Sequence, residues 1–239
     1  YNGDGTSDIA VFRPDPGLWA IRALTRIYFG QAGDEPGPGD YDADGTTDIG
    51  VFRPDSGLWA ARGISRVYFG RSGDRPVPAD YNGDGTGNVA VFRPDTGLWA
   101  LRLATRIYFG QDGDIPLPWY YPGPGAMGIS IFRESSGLWA LRNFTRVYFG
   151  TAGDQPKPGD YRGSGSWEMA VFRPDTGLWA IRGLTRAYFG SADDHPLPAD
   201  YTGTGTDGIG IFRPATGLWA VRGETRIYFG QSSDTPVTR

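Results

Sequence analysis

A repeat of 40 residues, written six times without an insertion or deletion, limits this chain more than any other feature. Phe recurs at 12, 52, 92, 132, 172 and 212, and Trp at 19, 59, 99, 139, 179 and 219. The pair Tyr-Phe recurs at 28–29, 68–69, 108–109, 148–149, 188–189 and 228–229. A fixed period of about 20–50 residues means that one supersecondary unit is stacked against copies of itself. At 239 residues the chain holds six such units, starting near 1, 41, 81, 121, 161 and 201, and reads as one domain over 1–239.

The second unit shows the pattern. PGPGDY (36–41), DIGVFR (48–53), LWAAR (58–62) and SRVYFG (65–70) are four short segments rich in β-branched and aromatic residues. None is long enough for a helix, and each has strand composition. RPDSG joins the second segment to the third: Pro54 pre-sets φ for a type I turn and Gly57 supplies the positive φ that closes it. Gly63-Ile64 joins the third to the fourth.

Four antiparallel strands per period, with turns this tight, make a propeller blade. The predicted fold is all-β: a six-bladed β-propeller. The second strand is apolar on both faces (Ile49 and Val51 against Gly50 and Phe52), as suits a sheet packed between two others. Nearly all Tyr and Phe fall on repeat columns, so they are expected to form the blade-to-blade core. The chain starts at Tyr1 after a missing first strand and finishes with a spare one, Asp234 to Arg239. The C-terminal strand is therefore expected to complete the N-terminal blade and remove the open edges.

Composition narrows the functions. Net charge is −4, and 18 of the Arg residues occupy three repeat columns. Positive charge spread evenly around a ring is not the basic stripe that nucleic acid needs, so no nucleic-acid partner is expected. There is no Cys and a single His, His195, which excludes thiol chemistry and a His site in every blade. No apolar run is long enough for a membrane span, so no membrane insertion is expected. Six near-equal blades offer no unique acid/base pair, and the chain reads as non-enzymatic and monomeric.

The phrase running from Phe69-Gly70 through Pro76 and Asp80-Tyr81 to the next Val-Phe-Arg-Pro resembles the FG-GAP and VCBS-like repeats of bacterial extracellular proteins, relatives of the integrin α-subunit propeller. The match covers all six units. The resemblance implies a secreted or cell-surface propeller, with Ca²⁺ held in some hairpins between the first and second strands, serving adhesion, ligand binding or scaffolding.

Those hairpins can be ranked from their residues. Asp40, Asp42, Asp44 and Asp48 put carboxylates at loop positions 1, 3, 5 and 9, with the Thr46 carbonyl at 7 and Gly45 at the sharp turn. Hard oxygen ligands at alternate positions suit Ca²⁺. It is not an EF-hand, because Val51 stands where a bidentate Glu is required. The third unit offers Asp80, Asn82, Asp84, Thr86 and Asn88, and the first Asn2, Asp4, Thr6 and Asp8. Tyr120, Pro122, Pro124 and Gly128 leave the fourth without a carboxylate; Arg162 puts a cation in the fifth, and the sixth keeps only Asp200. Metal is expected at the second loop first, then the third, then the first.

A second candidate is the set Arg13, Asp15 and Trp19, repeated as Arg53, Asp55, Trp59 and as Arg93, Asp95, Trp99. It lies at the end carrying the 2–3 turns and the 4–1 loops, where Asp34 also sits. Arg, indole and carboxylate can fix sugar hydroxyls and stack on a sugar face, so a glycan or protein ligand is expected there. The same charges can instead be structural, with Arg13 tying the loop of Asp34 or Asp15 to the turn. Two functions follow: a calcium-stabilised structural or adhesive propeller, or a multivalent lectin.

Overall fold

The computed structural model describes residues 1–120 and 126–238, among which no residue is helical. Their 24 strands form six four-stranded antiparallel sheets, the blades of a six-bladed β-propeller. Five blades take their strands in sequence. The second, for example, runs Glu35–Pro36, Gly50–Arg53, Leu58–Ala61 and Ser65–Tyr68 from the axis outward. The first blade consists of Ala10–Arg13, Leu18–Ile21 and Thr25–Tyr28, and its innermost strand is Thr235–Val237 from the other end of the chain. Ring closure therefore follows the expected route.

Burial explains the radial order. Second and third strands are buried on both faces, because each is covered by the blades on either side. Within a blade, Phe12 packs against Trp19 at 5.2 Å between ring centroids, and the indole N–H donates to the Phe29 carbonyl at 3.0 Å. Between blades, Phe12 and Trp19 share a cluster with Ile49, Val51 and Ala60 of the second blade. Burying one such aromatic side chain stabilises by about 1.5–3 kcal/mol, and the arrangement recurs at every interface.

Two local features position the loops. Gly57 closes the 2–3 turn at φ +67°, and a Cβ there would lie 2.5 Å from the Gly70 carbonyl. Turn and 4–1 loop are thus in backbone contact, which only glycine permits. The first strand is shorter than the six residues the sequence suggests: Glu35–Pro36 is followed by a single bridge between Gly39 and Asp48. The chain curls there so that the Asp40 carboxylate accepts the amides of Ala43 and Gly45. Where Tyr120 replaces that Asp, the strand runs on over Asp114–Tyr120 and pairs up to Tyr120 with Met127. Pro122 and Pro124 lie outside the described residues.

Candidate functional site: clefts between blades

The repeated Arg is held by a carboxylate of its own blade. Nε and Nη2 of Arg53 donate to Oδ1 and Oδ2 of Asp34 at 2.7 and 2.9 Å. Arg93 grips Asp74, and Arg13 grips Asp234, in the same two-pronged way. Asp34 thus belongs to Arg53 rather than to Arg13. Each of these Asp side chains is fully buried while its Arg keeps part of its surface exposed. Asp34 Oδ2 also accepts the Gln31 amide, which ties the 4–1 loop into a turn.

The tryptophans do not face a ligand. Trp19, Trp59 and Trp99 are 0, 3 and 0 % exposed, covered by the neighbouring blade, so the structure removes them from the sugar-stacking set. Asp15, Asp55 and Asp95 remain exposed at the turns, and Asp95 pairs with Arg71 at 2.9 Å.

A different aromatic column is exposed. Tyr28, Tyr68, Tyr108, Tyr148, Tyr188 and Tyr228 are 70–75 % exposed, although their column read as core. They sit on the outermost strands, two residues after an exposed Arg: Arg66 before Tyr68, Arg106 before Tyr108. Residues two apart on a strand share a face. Between the second and third blades, Tyr68, Phe69 and Gly70 on one side and Arg93, Arg106 and Tyr108 on the other line a cleft of about 470 Å³. Its floor is apolar, formed by Val91, Leu98 and Ala100. The cleft between the fifth and sixth blades, of about 360 Å³, uses the same columns: Tyr188, Phe189, Gly190, Arg213 and Arg226. The Asp74 bond, with the Asp74 and Asp95 charges, raises the Arg93 guanidinium above its ordinary value, so it stays charged. Such a cleft offers a flat aromatic wall, forked donors and phenolic hydroxyls. Column identity is the sequence signal that marks these residues, but identity shows only that the environment repeats, and exposure had to come from the structure.

At the opposite end, the second-unit hairpin brings oxygens of Asp40, Asp42 and Asp48 within 4.8 Å of one another. Burial, followed by the neighbouring Asp42, Asp44 and Asp40 charges, raises the Asp48 carboxyl despite the bond from the Tyr41 amide. A convergent set of hard anionic oxygens fits Ca²⁺. Asp44 lies outside that set and is engaged locally: its Oδ1 accepts the Thr46 amide at 2.7 Å and the Thr46 hydroxyl at 2.6 Å. The third hairpin satisfies itself. Asn82 and Thr86 both donate to Asp84, and Asn88 accepts the Tyr81 amide. In the first, Asn2 and Thr6 donate to Asp4, while Asp8 is paired with the Tyr1 ammonium at 2.8 Å. Among the described residues only the second hairpin gathers three such carboxylates.

No family model matches the chain, and no curated protein matches it. The resemblance to FG-GAP and VCBS-like repeats therefore rests on the motif residues alone. Among solved structures, the chain is similar to a lectin of Agrocybe aegerita whose study concerns recognition of non-reducing terminal N-acetylglucosamine. The two share 14 % identity over 98 % of this chain and 79 % of that one, with a TM-score of 0.57, which shows a common propeller fold.

Proposed function

We propose that the protein is a multivalent carbohydrate-binding propeller that takes one sugar unit in each cleft between blades. The observation that carries this reading is the exposed tyrosine column, set beside exposed Arg over an apolar floor at the interfaces of the second and third blades and of the fifth and sixth. A phenol ring can lie on the apolar face of a sugar while Arg93 and Arg106 donate to its hydroxyls. The likeness to a lectin propeller agrees with this and adds terminal N-acetylhexosamines to the sugars to be tried first. The test is a glycan array run with wild type and with a variant in which Tyr28, Tyr68, Tyr108, Tyr148, Tyr188 and Tyr228 are all alanine. Wild type should bind and the folded variant should not. Binding that survives the six substitutions, or a silent wild type, defeats the reading.

A second property is favoured by the convergence of Asp40, Asp42 and Asp48: a calcium ion held at the second hairpin, stabilising the ring rather than touching the sugar. These residues would hold the ion, which supplies charge neutralisation to a loop that otherwise brings like charges together. Asp40 also accepts the Gly87 amide of the third blade through its carbonyl, so ordering this loop also orders a blade interface.

A further inference from the structure

On the outermost strands Arg26, Arg66, Arg106, Arg146, Arg186 and Arg226 form an exposed column that is Arg in every blade. The exposed column that opens the 4–1 loop varies instead: Gln31, Arg71, Gln111, Thr151, Ser191 and Gln231. Among the described residues, no hydrogen bond or ion pair engages the six outer guanidiniums. The Arg13 column differs, since each member is spent on a buried Asp, as Arg93 is on Asp74. The outer column therefore adds positive charge that the fold leaves uncompensated.

Strand register places that charge in the clefts between blades. On the third blade Val91, Ala100 and Arg106 stand opposite one another in one cross-strand row, and Arg93, Leu98 and Tyr108 in the next. All six line the cleft of about 470 Å³ shared with the second blade. Arg106 and Tyr108 lie about 7 Å apart along their strand. A sugar ring seated on the phenol spans that distance with an exocyclic group and one hydrogen bond. The sixth blade repeats both rows, with Arg226 opposite Ala220 and Arg213 opposite Leu218, and these four line the cleft of about 360 Å³ shared with the fifth. The turns then single these two clefts out. In four blades the 2–3 turn carries an exposed carboxylate without an ion pair: Asp15, Asp55, Glu134 or Asp175. In the third blade the turn carboxylate, Asp95, is taken by Arg71, which directly follows the lining Gly70. In the sixth, Ala215 stands at that position. Asp193, exposed at the tip of the fifth 4–1 loop, does not line the second cleft. With Asp74 on Arg93, Asp95 on Arg71 and Asp194 on Arg213, the charges left over are those of Arg106 and Arg226.

We infer that these two clefts take an acidic sugar, whose ring lies on the tyrosine and whose exocyclic carboxylate or sulfate is received by Arg106 or Arg226. This rests on the clefts being sugar sites and adds the charge of the ligand. A guanidinium presents two parallel N–H donors that match the paired oxygens of a carboxylate or sulfate. A neutral hydroxyl uses one donor and leaves the charge unanswered.

The test is isothermal titration at low ionic strength with two pairs of sugars that differ in one group: N-acetylglucosamine against its 6-sulfate, and glucose against glucuronate. Wild type should bind the charged member of at least one pair about tenfold more tightly, and added salt should shrink the difference. The pair that shows the preference tells sulfate from carboxylate. Arg106→Gln combined with Arg226→Gln should fold, since both side chains are exposed and make no bond within the protein, and its affinities for charged and neutral sugars should converge. Arg106→Lys with Arg226→Lys should keep part of the preference. Equal affinity for charged and neutral sugars in wild type overturns the inference and leaves the lectin reading standing. A preference undiminished in the double Gln variant overturns the assignment to these arginines. No binding to any of the four sugars overturns it as well, and a silent glycan array then takes the lectin reading with it.

Discussion

Arg13 and Asp234, 221 positions apart in the sequence, clasp each other through two hydrogen bonds of 2.6 and 3.0 Å. In the other five blades the same pair is separated by only 19 positions, as in Arg53 with Asp34. The geometry is the same, so the ring is closed by a contact the fold already uses everywhere else. What differs is the loop that the contact must close: its entropic cost grows with the chain between the partners, though only logarithmically.

The first prediction concerns that closure. Removing one partner of a buried ion pair strands the other and costs about 3–5 kcal/mol. Asp74→Ala should lower stability by less than that, since the stranded Arg93 still reaches solvent, and leave unfolding cooperative. Deleting residues 234–239 should do more, because the first blade also loses the strand that pairs Phe12 with Thr235 and Ala10 with Val237. Circular dichroism melts of the two variants would check this. A truncated chain that unfolds as sharply as the full one would show that closure contributes little.

The second concerns acid. Burial raises the Asp154 carboxyl, but the Arg173 bonds and the Thr151 amide outweigh it, so the group titrates below its ordinary value. A carboxylate whose pKa is depressed by folding stabilises the native state fully above its unfolded pKa of about 3.9. That contribution is lost as pH falls through the lower, folded value. Urea titrations between neutral pH and pH 2 should show stability falling in this window. Asp154→Asn should be less stable at neutral pH and should show a shallower acid loss; an unchanged slope would refute the assignment.

The third concerns a turn. Leu103 adopts φ +61° in the link between the third and fourth strands, where Gly63, Gly183 and Gly223 stand in other blades, and its side chain is 90 % exposed. A left-handed conformation costs a residue with a Cβ about 1–2 kcal/mol, while glycine costs about 0.5–1 kcal/mol in the unfolded chain. Leu103→Gly should thus be neutral to stabilising by up to about 1 kcal/mol, despite creating a glycine. A denaturant midpoint that falls would count against the turn strain.

Much of this architecture was legible in the sequence because it depends on periodicity. Phe12, Trp19 and their repeats mark the two central strands, and the leftover segment at Asp234 marks the closure. Less legible was anything that depends on direction. That Asp34 serves Arg53 and not Arg13 is invisible in a repeat where both spacings recur. The Tyr28 column repeats as faithfully as the Trp19 column, yet one stands at the outer edge and the other between sheets. Asp44 has the spacing of a metal ligand, but the Thr46 hydroxyl and amide two residues away compete for it. Local hydrogen bonding of this kind is why loop carboxylates cannot be assigned by spacing alone.

The fourth prediction concerns calcium. If the ion sits where Asp40, Asp42 and Asp48 converge, it should stabilise the fold by mass action, by about 2.7 kcal/mol when free calcium is 100 times Kd. Asp42→Ala should abolish that gain, since Asp42 is exposed and the backbone amide its Oδ1 accepts, that of Asp44 at 3.3 Å, lies within the loop and outside the strand pairing. Asp44→Ala should preserve it in large part, because its carboxylate is engaged by Thr46 and lies outside the convergent set. Asp84→Ala, in the self-satisfied third hairpin, should leave the calcium response intact. The measurement is a melting curve in EGTA and in millimolar CaCl₂ for wild type and the three variants. Equal melting temperatures for wild type in the two conditions would mean that the second hairpin is a turn held by Asx hydrogen bonds alone. A gain lost in Asp44→Ala but kept in Asp42→Ala would place the ion on the opposite side of the loop.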